Sequence, residues 1–151
     1  MVNNKTMKHY ADENEILELV RSFETGTIRR EDWHHAEHLV VALYYVSEHG
    51  IQTATEKMRS GIFSLLRNAF AVDLAKEMPY HETLTIFWMQ TVAEFNDAKN
   101  GSSLLDKANE VVEKFDKDYP LKFYSRERLF SDEARACFIN GDLKSQGHFS
   151  D

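Results

Sequence analysis

One cysteine in 151 residues, two prolines and six glycines leave this chain few of the residues that staple, kink or loosen a backbone. Cys137 alone cannot form an internal disulfide, which excludes a disulfide-built fold and fits a reducing, cytoplasmic setting. Placed before Phe138 and Ile139, its thiol reads as buried and inert. With Pro79 and Pro120 as the two helix breakers of that kind, long uninterrupted helices are open to the chain. Basic charge is also in short supply. Lys and Arg number 18 against 25 Asp and Glu, for a net charge of −7, whereas a nucleic-acid binder carries a basic footprint. A helix-turn-helix is further disfavoured by helices longer than that motif uses. No apolar run reaches the roughly 18 residues of a membrane span. The polar stretch Met1 to Glu15 lacks the apolar centre of a signal peptide, so no membrane partner is expected.

Helical periodicity runs through every major segment, and sustained two-residue alternation appears in none. The expected fold is all-α, a single domain over residues 1–151, with a bundle of four long helices and one or two short ones. The first helix should cover about Asp12 to Glu24, with Ile16, Leu19, Val20 and Phe23 on one face and Gly26 as its stop. The next should run from about Arg30 to Glu48, and a third from about Gln52 to Asn68. A connection holding Met78-Pro79 leads to a helix from about Tyr80 to Lys99. Ser102 or Ser103 should cap the following helix, which ends near Phe115. A last short helix should span about Ser131 to Ile139, before a loose tail from about residue 140.

Three of the seven histidines fall within five positions, in Trp33-His34-His35-Ala36-Glu37-His38-Leu39. On a helix each residue turns by about 100°. Counted so, Ala36, Leu39, Leu43 and Val46 form an apolar arc, and His35 lies about 20° outside it. His38 falls about 60° further round, and His34 roughly 40° beyond that, toward a solvent side holding Val41 and Glu48. His35 and His38, three apart, are neighbours on the helix surface and can share one ion. His81 lies on the stripe of Leu84, Trp88, Val92 and Phe95. Inward imidazoles are costly together unless something ties them, and a metal ion does so by taking neutral nitrogens. His35, His38 and His81 are therefore the expected ligands of a divalent metal ion, zinc or iron first among imidazole-bound metals. Three protein ligands would leave an open position for water or substrate. Glu37 and Glu82 read as solvated surface or first-turn charges.

Tyr124-Ser125-Arg126-Glu127-Arg128-Leu129, with Arg135 beyond it, is the second unusual stretch. Tyr124, Arg128 and Arg135 are the expected substrate contacts, since a guanidinium fork suits carboxylate and phosphate. Pairing with surface acids is the competing reading.

These stretches resemble a family of small uncharacterised bacterial helical proteins. Its runs are Trp-x-His-x-x-His-Leu, Tyr-His-Glu-Thr-Leu-Thr, and Tyr-Ser-x-x-Arg-Leu followed by Ala-Arg. Here they are Trp33 to Leu39, Tyr80 to Thr85, Tyr124 to Leu129, and Ala134-Arg135. The resemblance implies the same three histidines as site residues. His34 stands where relatives carry a small polar residue, and Gly141-Asp142-Leu143 departs from their Pro-Asp-Leu ending. A looser likeness in design links the chain to the DinB-like four-helix metalloproteins, whose histidine spacing differs.

Together these features point to a metal-dependent enzyme acting by hydrolysis or group transfer on a small molecule. The alternative is a non-catalytic helical domain, with a structural metal or a histidine core cluster and an acidic face for a protein partner. A homo-oligomer is compatible with both, Tyr44 being one aromatic that could mark its face.

Overall fold

The computed structural model describes residues 9–143. The expected loose tail lies largely outside those residues, as do the first eight positions. Among the described residues the chain is helical without strands. Five helices have eleven or more residues: α1 (Glu13–Thr25), α2 (His35–Glu48), α3 (Ile51–Ser64), α4 (Glu82–Ala98) and α5 (Leu104–Lys114). Two short ones follow, α6 (Arg126–Leu129) and α7 (Asp132–Ala136).

The centre of the bundle is α2, which packs against α1, α3, α4 and α5. Leu39, Val40, Val41, Ala42 and Leu43 are all fully buried, so this helix has no solvent side over its middle. That corrects the sequence reading of Val41 as a solvent-side residue: a helix apolar all round is an inner helix. Burying each of the Leu and Val side chains among them contributes about 1.5–3 kcal/mol. By contrast α1 and α5 lie outside and are amphipathic, presenting Ile16, Val20 and Phe23, and Ala108 and Val111, to the interior.

The ends follow local chemistry. Asp12 accepts the Glu15 N–H to start α1, and Gly26 ends it in the left-handed region at φ 75°. Ser103 caps α5 through the Asp106 N–H at 3.0 Å. After Ser64 the third helix continues as a π-helical turn over Leu65–Ala69. Gly61 faces Phe23 of α1 so closely that an added Cβ would lie 2.3 Å from two ring carbons. Phe23 in turn stacks on Trp33 with centroids 5.0 Å apart.

Two helix starts differ from the periodicity. Arg30–Asp32 form a separate 3-10 turn, Trp33 is extended, and α2 begins at His35 with His34 as its cap residue. The physical cause is Glu37, whose carboxylate accepts the His34 N–H at 2.9 Å. Likewise α4 begins at Glu82, and His81 is its cap residue. Glu37 is buried, which corrects its reading as a surface charge.

The C-terminal segment folds back over the start of α4. Thr83 Oγ1 donates to the Cys137 carbonyl and accepts the Ile139 N–H. Residues 139–143 then close over 123–128: Tyr124 Oη donates to the Ile139 carbonyl at 2.5 Å and Arg128 Nε to the Asn140 carbonyl at 2.6 Å. Both the N–H and the hydroxyl of Ser125 donate to the Asp142 carboxylate. Ser131 caps α7, as the sequence suggests, but the helix stops at Ala136. Cys137 is extended there and exposed, which corrects the expected buried thiol: the carbonyl of Cys137, not its sulfur, faces α4.

Candidate functional site

A pocket of about 300 Å³ opens between the starts of α2 and α4. From the first side it is lined by Trp33, His34, His35 and His38, and from the second by Pro79, Tyr80, His81, Leu84 and Thr85; Ile62 of α3 completes it. The three expected ligands thus line one cavity, because both helices begin at this end of the bundle. Among the described residues, however, no three His, Cys, Asp or Glu side chains converge into a ready ion cage.

Each ring has a different set of partners. His35 Nε2–H donates to the Phe115 carbonyl at 3.0 Å, since a carbonyl only accepts, and Nδ1 is left as the ring's acceptor. Its ring also lies 4.9 Å from that of Trp88. Burial holds His35 below the ordinary imidazole pKa, against the opposing pull of the Phe115 bond. His81 Nε2–H donates to the Leu129 carbonyl at 2.6 Å, and His81 Nδ1 accepts the Leu84 N–H at 3.2 Å. His81 is also held below its usual pKa, first by burial and then by the charge of Arg135, with the Leu129 bond opposing. His38 stands apart. Its Nε2 is shut off from solvent and has no hydrogen-bond partner among the described residues. Burial, with a smaller contribution from His35, pushes its pKa down to about 4.

The orphaned nitrogen is an observation that bears on a metal. A buried polar atom without a partner costs about 1–3 kcal/mol, and native structures tolerate few of them. His35 and His81, each donating one ring N–H to a backbone carbonyl, have the outer contact that usually fixes a ligating histidine's tautomer. An imidazole-bound ion at this end would draw on His35 Nδ1, His38 Nε2 and His81 Nδ1, but among the described residues these nitrogens do not form a group that could hold one. For His81 such a role would also require giving up the long bond from Leu84.

Around the pocket sits a brace that sequence reasoning missed. Arg59 of α3 grips Glu82 through two bonds of 3.1 and 2.7 Å, and Tyr80 Oη donates to the same carboxylate at 2.5 Å. Burial alone would raise the Glu82 pKa, but the Arg59 and Tyr80 bonds outweigh it and hold it down. The Tyr80 phenol is pushed up to about 12 by burial and by Glu82. Glu82 is thus a fixed anchor of the α4 start and not a free first-turn charge. The signal for it, Tyr-His-Glu at a helix start, was visible; its partner 23 residues earlier was not.

The expected substrate contacts are not at the pocket. Tyr124 is fully buried and its hydroxyl is bonded to Ile139, while Arg128 is held by Asn140. Neither they nor Arg135 line the cavity, although the charge of Arg135 reaches His81. No helix among the described residues is long and apolar enough to cross a membrane. The chain matches no protein-family model, no curated protein and no solved structure.

Proposed function

We propose that the pocket binds a divalent metal ion through His35, His38 and His81, zinc or iron being the first candidates, and serves a hydrolytic or group-transfer reaction on a small molecule. The observation that carries this reading is His38 Nε2, a buried ring nitrogen with no hydrogen-bond partner among the described residues. A bound ion would supply Lewis acidity and an activated water. The chain's own residues do the rest. His35 and His81 are oriented by the Phe115 and Leu129 carbonyls, so their acceptor nitrogens are fixed by the backbone. Trp33, Ile62 and Leu84 give the cavity apolar walls that limit water. A cytoplasmic setting suits a chain whose single thiol is exposed.

The test is elemental analysis of tag-free protein after reconstitution with zinc, iron and manganese, beside His38→Leu. Near-stoichiometric metal in the native chain, lost in a variant with unchanged circular dichroism, is the expected result. A native chain that retains none of the three metals would overturn the reading.

A second reading has its own support. His35 and His81 tie helix starts to carbonyls 80 and 48 residues away, which is the work of structural histidines. On that reading the domain is non-catalytic and its acidic surface meets a protein partner.

A further inference from the structure

The side chains lining the pocket spend their hydrogens on the protein itself and keep lone pairs. His35 Nε2–H goes to the Phe115 carbonyl and His81 Nε2–H to the Leu129 carbonyl. The Thr85 hydroxyl donates to the His81 carbonyl at 3.0 Å, and the Tyr80 hydroxyl to Glu82. A neutral imidazole with its proton on Nε2 has an acceptor at Nδ1, and that is the state of His35. His38 Nε2 is buried without a partner among the described residues. A neutral ring can carry its proton on either nitrogen, so this one too can accept. It lies out of water's reach; a ligand gains it through a turn of the ring, which no hydrogen bond on Nε2 resists.

The charges around the cavity favour neither sign. No lining residue is Asp, Glu, Lys or Arg. From outside, Asp116 and Asp118 act on His35 against Lys117, which pairs with Asp118 at 3.4 Å, and Arg135 acts on His81. Glu37 is engaged by the His34 N–H, and Glu82 by Arg59 and Tyr80. An ionic ligand would shed water without meeting a counter-charge in the lining, which is costly. The walls are flat or aliphatic: Trp33, stacked on Phe23, then the Tyr80 ring, Ile62, Pro79 and Leu84. At about 300 Å³ the cavity is at the small end of ligand pockets. We propose that the metal-free pocket binds a small uncharged aromatic molecule bearing an O–H or N–H, its ring against these walls and its proton given to the nitrogen that His35 or His38 leaves unused. Such binding needs no ion and stands or falls separately from the metal reading.

The full chain, stripped of metal with a chelator at about pH 8, where imidazoles are neutral, provides the test. Titration with phenol is followed by nuclear magnetic resonance of the histidine rings and the α2 amides. Phenol should shift the His35 and His38 signals at concentrations about tenfold below those of anisole, the same ring without the donor. Benzoate and benzylammonium, its anionic and cationic counterparts, should need at least as much as anisole. His35→Gln keeps a donor for the Phe115 carbonyl but removes Nδ1, and His38→Leu removes Nε2. At least one of them should bring phenol down to the affinity of anisole, with circular dichroism unchanged. Anisole binding as tightly as phenol in the native chain would overturn the proposal without recourse to a variant. Tighter binding of either ion, a phenol preference intact in both variants, or no shift at the pocket would overturn it as well.

Discussion

The two helix starts that face the pocket solve the same problem in opposite ways. Each places a histidine where the backbone N–H groups of a first turn lack partners. At α4 the ring itself is the cap, and both nitrogens of His81 are satisfied by Leu84 and Leu129. At α2 the work is shared in a capping box, Glu37 accepting the His34 N–H and the His34 ring the Glu37 N–H, and the ring of His38 is left with a buried nitrogen that has no partner among the described residues. One start is built for stability. The other holds a buried ring nitrogen that has no partner among the described residues.

That contrast predicts opposite responses to similar substitutions. His81→Ala removes a cap and a short bond from a buried ring and should destabilise the metal-free protein by about 2–4 kcal/mol, read by urea unfolding. His38→Leu should cost little or stabilise slightly, since it replaces an unsatisfied polar group by an apolar one. If His38→Leu unfolds the protein as readily as His81→Ala, the contrast is wrong.

Acid should expose the same asymmetry. His38 has a folded pKa of about 4, below the ordinary imidazole value, so the unfolded chain binds more protons between those values. The penalty for keeping its ring neutral is absent above about pH 6.5, grows as the pH drops, and is complete near pH 4, a loss of stability of about 3 kcal/mol. His35 and His81, also lowered, act in the same direction. Denaturant midpoints of the metal-free chain should therefore fall from pH 7 to pH 4.5, and His38→Leu should flatten the curve. An equal slope in both proteins would count against the burial of that nitrogen.

Smaller effects sharpen the comparison. Glu82→Ala breaks the Arg59 fork and frees Tyr80; because Arg59 is partly exposed, about 1–2 kcal/mol is expected, and a double-mutant cycle with Arg59→Ala should recover most of it as coupling. His34→Ala should cost about 0.5–1 kcal/mol, because the ring's half of the capping box is lost while the bond from the His34 N–H to Glu37 stays.

Much of this was legible in the chain. The all-α class followed from periodicity, and Gly26, Ser103 and Ser131 marked helix ends because their chemistry is local. What failed was anything needing to know which helix is central. The angular count gave α2 a solvent side because it assumed a surface helix, yet Val41 is fully buried. Glu37 was misread for the same reason. His81 was placed on the apolar stripe of a helix begun two residues too early; it faces inward as a cap, a position that periodicity does not describe. Tyr124, Arg128 and Cys137 depend on how residues 139–143 return over the chain, and no spacing encodes that return.

The return has a consequence for how the protein breathes. Its bonds to Tyr124, Ser125 and Arg128 join residues only 12 to 17 apart, while Thr83 and His81 tie it to the start of α4, and a unit held by so few long-range bonds can open while the helices stay closed. Amides of α6 and α7 should then exchange with solvent deuterium together, well before those of α2. Leu129 belongs to that unit, and its carbonyl fixes which nitrogen of His81 carries the proton. When the unit opens, the Nε2–H loses its acceptor and the choice of tautomer rests on the Leu84 N–H alone, so a pocket histidine takes part of its protonation pattern from a segment able to unfold separately.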